Sequence, residues 1–165
     1  MKEKRKKLDP IPKINRRLFK MWSEAVRGRV GFKCEYCGIE RGAISENGKP
    51  VKIDAHHMMN RDITGCPLKF DIRNGVSLCP KHHKFSSDES FHMNPVVTMD
   101  WVQKNRPSDF NFVLTNYKTR IDLHNREILA EIEARLSAKE PLNLDKLVEI
   151  DKKAQTPEET LFDKI

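Results

Sequence analysis

Apolar residues recur at helical spacing after Pro10 and Pro12, at Ile14, Leu18, Met21, Trp22 and Ala25. At about 100° per residue they share one side of a helix, and Lys13, Arg16, Arg17, Lys20 and Arg27 share the other. Gly28 and Gly31 supply the stop. Residues 49–55 (KPVKIDA) alternate, with Val51 and Ile53 set against polar neighbours, and predict a strand. Residues 60–73 hold Gly65 and Pro67 and read as an irregular loop. Residues 76–78 are a short apolar piece, and residues 81–85 open a short helix. A further helix starts at Pro95 and runs through Trp101, with Val97 and Trp101 on one face. Residues 110–117 add aromatic packing. Residues 119–136 predict a long amphipathic helix carrying Leu129, Ile132 and Leu136 on one face. Residues 1–12 read as a flexible basic arm, and the chain from Ser137 as a polar, fraying tail.

Charge sharpens this outline. The 165 residues carry a net charge of +7 and charged residues make up 33%, with 38% apolar. The excess is local: residues 1–33 hold twelve Lys/Arg against three acids, while residues 34–138 hold fourteen of each. A stripe of one sign is ordinarily a solvated face. Here the near-absence of acids favours a face that tracks phosphates, so the expected partner is anionic, nucleic acid or a membrane surface. Lys2–Lys7 lead into Leu8, Asp9 and Pro10 and not into an apolar run, so no secretory signal is expected. No apolar run reaches the ~18 residues of a membrane span. The expected location is intracellular, and four Cys there point to metal and not to disulfides.

The Cys residues are spaced as ligands. Cys34-Glu-Tyr-Cys37 precedes Gly38, and Cys79-Pro80-Lys81-His82 repeats the two-residue gap. Two such pairs can close a tetrahedral Cys3His zinc site on Cys34, Cys37, Cys79 and His82. Burial as small apolar residues does not account for the paired spacing. His83 competes with His82 for the fourth position. Cys66 has no neighbour at ligand spacing and reads as structural or exposed.

Between the pairs lies Ile53-Asp54-Ala55-His56-His57, then Asn74, with His83 directly after the second pair. This order resembles the HNH nuclease family over about residues 32–85. The resemblance implies an α+β fold, a zinc-stapled treble-clef ββα-metal core with flanking N- and C-terminal helices. It also implies DNA phosphodiester hydrolysis, with His57 as general base and His56 and His83 on one divalent catalytic metal (Mg²⁺, Mn²⁺, Ni²⁺ or Zn²⁺). Asn74 would orient the His57 ring. Neighbours in a regular strand point to opposite faces, so His56 and His57 serve one site only if the strand ends or bulges there. Asp54 shares the His56 face and is a further ligand or a partner of a histidine. Arg61 is placed to meet a substrate phosphate or to be a solvated loop residue. His92 and His124 read as structural, His124 within the long helix.

The segments LDPIPKINRRLFKMWSEAVRG, CEYCG, DAHHMMNR, LKFDIRN and FHMNPVVTMDWV together resemble phage NinG/Rap-type recombination nucleases and related phage HNH proteins. That implies phage DNA recombination or processing, branched or junction DNA among the substrates, and the host cytoplasm. Two rival readings are a zinc-stapled DNA-binding module without cleavage, and a restriction, homing or packaging-linked nuclease. The parts divide as a basic arm and helix (1–31), a core (32–93), C-terminal helices (94–137) and a tail (138–165), in one compact domain. The long C-terminal helix can pack on that domain or pair two chains as a homodimer.

Overall fold

The computed structural model describes residues 8–59 and 61–156; most of the predicted arm (1–7) and the end of the tail (157–165) lie outside them. The architecture is α+β, five α-helices around a two-stranded antiparallel sheet among the described residues. Helix α1 spans Ile11–Arg29, with Pro12 in its first turn, where the missing N–H breaks no helical bond. Ile14, Leu18, Trp22, Ala25 and Val26 form its buried stripe. No helix among the described residues is long and apolar enough to cross a membrane.

The strand lies further along the chain than the alternation predicts. β1 is Asp54–His57, antiparallel to β2, Gly75–Leu78, with His56 opposite Val76 and His57 opposite Gly75. Residues 50–51 instead pair with 42–44: Val51 N donates to the Ala43 carbonyl and Gly42 N to that of Val51. Pro50 has no N–H to offer a ladder. Val51 and Ile53 are both buried, with Cys34, Val76, Leu78, Cys79 and Phe91, beneath the Cys pairs.

The predicted loop 60–73 is in part core. Turns of 3-10 helix at Pro67–Phe70 and Ile72–Asn74 bury Leu68, Phe70 and Ile72 against α1 and the C-terminal helices. The fully buried Asp71 carboxylate is neutralised by Arg73, whose Nε and Nη2 donate at 2.9 and 2.7 Å.

Four helices follow: α2 (Pro95–Asn105), α3 (Pro107–Asn116), α4 (Arg126–Ala138) and α5 (Leu144–Gln155). The helix predicted over 119–136 starts only at α4. Ile121 N donates to the Gly65 carbonyl, drawing 121–123 onto the core as a loop, and the Asn125 side chain caps the helix by accepting from Glu127 N. The predicted tail is corrected as well. Asn143 caps α5, which buries Leu144, Leu147 and Ile150. Between α2 and α3, Arg106 donates to the Gly75 and Arg73 carbonyls and to Glu35, tying these helices to β2 and the first Cys pair.

Candidate metal centres and active site

Cys34, Cys37, Cys79 and His82 gather into one group that can hold a zinc ion. His82 Nδ1 lies 3.6 Å from Cys34 Sγ and 3.3 Å from Cys79 Sγ, and the Cys37 and Cys79 sulfurs are 4.0 Å apart. Bonds of ~2.3 Å to sulfur and ~2.0 Å to nitrogen in a tetrahedron put ligand atoms roughly 3.5–3.8 Å apart, so the donor set fits. Thiols this close cannot all ionise without a cation among them. The hydrogen bond with Cys79 draws the Cys34 thiol down to about 4, and Cys79 is pushed up in turn. His82 Nε2 faces Glu89 at 3.5 Å. A carboxylate there would fix the orientation of the ring.

The choice between His82 and His83 is resolved by the five-residue turn Lys81–Phe85 that carries both. Consecutive residues on a helical turn point roughly a quarter-turn apart. His82 reaches the thiols, and His83 reaches His56 and His92. These three imidazoles form a second metal-capable group, all ligand atoms of which lie within 4.8 Å of one another. His83 Nε2 and His92 Nε2 are 3.2 Å apart. Ring centroids are 5.3 Å apart for His56–His83 and 4.8 Å for His56–His92. Three neutral imidazoles are a chemically coherent donor set for a divalent transition metal.

His92, read as structural from its sequence context, falls within this metal-capable group. Phe91 N donates to the His82 carbonyl and His92 N to that of His83, laying the second segment along the first. Buried Phe91 anchors it against Tyr36 and Trp101. Asp54 falls on the far nitrogen of His83, with Oδ2 3.3 Å from Nδ1. It therefore meets a histidine, and is not among the three side chains of the metal-capable group. His124 lies before α4 and not within the long helix, exposed beside Asp122 at 3.3 Å.

His57 stacks on α1 while His56 faces His83 and His92, and β1 ends at His57, one of the two conditions under which the neighbours can share a site. Both rings line one groove of about 530 Å³, with His83, His92, Arg61 and Lys84. The His57 Nε2 lies 2.9 Å from the Lys69 carbonyl. A carbonyl only accepts, so Nε2 carries the hydrogen and Nδ1 keeps its lone pair. The expectation for Asn74 changes. Its buried side chain accepts from Met59 N at 2.8 Å and donates to the Leu68 carbonyl at 3.0 Å. It braces the chain after β1 against the 67–70 turn, and Lys69 holds the His57 ring.

The predicted basic stripe divides. Lys13 and Arg17 pair with Asp9, Arg17 also with Glu133 of α4. Arg27 turns inward to the Ser23 and Ile53 carbonyls. Arg16 and Lys20 remain exposed and form no ion pair among the described residues. Arg61 is exposed beside Asp62, with its guanidinium 5.9 Å from the Phe19 ring.

Burial dominates the titration of this groove. Desolvation, then the charges of His83 and His92, lowers His56 to about 3, and desolvation lowers His57 to about 4. Between those values and ~6.5 the unfolded chain binds more protons than the folded one, so stability rises with pH across that window. Protein that keeps zinc on the Cys3His group but carries no metal at the three imidazoles is therefore expected to lose Tm steadily from about pH 7 to about pH 4.5. Replacing both His56 and His57 with Gln should flatten that slope in thermal melts. An unchanged slope would mean the rings are not desolvated in the fold.

Comparisons with protein-family models, with curated proteins and with solved structures find no match to this chain.

Proposed function

We propose that this chain is a metal-dependent DNA endonuclease built on an HNH, or ββα-metal, core. The observation that carries the reading is the pairing of two features in one groove. His57 has one nitrogen committed to a backbone carbonyl and a lone pair on the other, beside a cluster of three imidazoles. The lowered ring is unprotonated at neutral pH and so able to accept a proton, and a divalent ion at the imidazoles would ease the loss of that proton from water. The β1–β2 hairpin, the Lys81–Phe85 turn that follows it and the Cys3His group support the ββα-metal reading of the core.

His56, His83 and His92 would hold the ion, with Asp54 orienting His83. A divalent ion there would supply Lewis-acid stabilisation of the charge that develops on the phosphate and on the leaving oxygen. His57 Nδ1 accepts the proton of the attacking water, whose oxygen bonds to phosphorus as the bond to the leaving oxygen breaks. Arg61 and Lys84, on the groove wall, offset substrate charge. Arg16 and Lys20 are the α1 cations left to meet flanking phosphates. The earlier resemblance suggests phage DNA recombination or processing as the setting and branched DNA as a substrate to include.

The test is plasmid nicking by chelator-treated protein supplied with Mn²⁺, Ni²⁺, Zn²⁺ or Mg²⁺. Nicking with at least one of these ions is expected, with three imidazoles favouring the transition metals. DNA binding without cleavage under every ion would replace this reading with that of a zinc-stapled binding module. Loss of an outer partner of a metal ligand costs about 10–100-fold in affinity, so His92→Ala should cost at least as much. Titration with Co²⁺ followed by absorption measures it, and unchanged binding would remove His92 from the site.

A further inference from the structure

Helix α1 reaches the active site from the core side. Trp22 is 3% exposed, and its indole lies flat on the His57 imidazole, with centroids 3.7 Å apart and planes 10° apart. Its Nε1 donates to the Asp71 carbonyl at 2.9 Å, which fixes the rotation of the indole. Phe19, almost one turn earlier, meets the same imidazole edge-on at 6.2 Å and 80°. The imidazole is thus held on a face, on an edge and at one nitrogen.

An independent feature makes this approach possible. Gly75 is the ladder partner of His57. Its φ of −114° suits any residue, so backbone conformation does not require glycine. Space does: a Cβ there would lie 2.3 Å from Val26 Cγ2 and 3.0 Å from Trp22 Cζ2. The missing side chain lets α1 lie directly on β2, which brings Trp22 to the plane of His57.

We propose that Trp22 and Phe19 are positioning residues for His57, forming an aromatic wall that Gly75 admits. The wall sets the plane of the ring, the Lys69 carbonyl sets its tautomer, and Nδ1 is presented to the groove. This deepens the nuclease reading and rests on it for the purpose of the positioning, although the positioning itself can be measured without cleavage.

The experiment uses full-length protein labelled with ¹⁵N-histidine. In the wild type, the His57 ring nitrogens at about neutral pH should report the tautomer protonated at Nε2. Trp22→Phe preserves a stacking face, and should keep that pattern and stay within about threefold of wild-type kcat. Trp22→Leu removes the face, and should shift His57 toward mixed tautomers and lower kcat ten- to a hundredfold at unchanged KM, the scale of a misplaced catalytic group. Zinc content and circular dichroism report whether each variant is folded. Folded Trp22→Leu with wild-type ring shifts would overturn the proposal. If Trp22→Leu does not fold, Phe19→Leu decides, because Phe19 is only half-buried. A partial shift of the His57 nitrogens is expected there, and none would overturn the proposal. A wild type that cuts no DNA would remove the nuclease reading, and the ring shifts would still judge the wall.

Discussion

His57→Ala is expected to lower DNA cleavage by about 10²–10⁴-fold, the usual contribution of a positioned general base. The effect should fall on kcat. Zinc content should not change, because His57 belongs to neither metal-capable group. DNA affinity should be nearly unchanged, since His57 is a half-buried neutral ring and the cations of the groove stay in place. The control is Asn74→Ala, which reaches activity by a different route. Asn74 is fully buried and bonded to Met59 and Leu68, so its loss should cost stability as well as rate. Retention of near-normal cleavage by His57→Ala would put the base elsewhere in the groove.

Cys79→Ala is expected to have the larger effect on the fold. A structural zinc contributes about 10–16 kcal/mol in small zinc fingers, comparable to or above the ~5–15 kcal/mol net stability of a whole domain. Cys79 also stands directly between β2 and the turn that carries His82 and His83. Loss of the Cys3His group should therefore loosen that turn and weaken metal binding at His56, His83 and His92. Thermal melts with metal analysis test both effects. A well-folded, zinc-free Cys79→Ala protein with unchanged Co²⁺ binding at the imidazoles would refute the staple and its coupling to the second site.

Much of the candidate site was legible because its signals are local. The two Cys pairs announce themselves by spacing, and α1 by its apolar stripe. What escaped depends on partners that a helical wheel or a spacing rule cannot see. His92 lies at no periodic distance from His83, and backbone pairing of 91–92 with 82–83 brings them together. The charges of α1 do leave its apolar stripe, yet Asp9, Glu133 and the Ile53 carbonyl arrive to occupy three of them, Lys13, Arg17 and Arg27. Trp22 reads as a core residue and is one, but its second role depends on the register that sets His57 opposite Gly75. The missed helix α5 had its signal: Leu144, Leu147 and Ile150 recur every third residue behind the Asn143 cap, diluted by the charges between them.

A groove that holds both a metal and a base for DNA cleavage ties cutting to the occupancy of its metal. The most direct measurement is metal content taken alongside nicking as chelator treatment proceeds and a transition metal is then restored. Two metals per chain are expected, one chelator-resistant and one exchangeable, with nicking lost and regained in step with the second. Nicking that persists after the second metal is gone, or a fully loaded protein that binds DNA and cuts none under any of the ions tried, would contradict it.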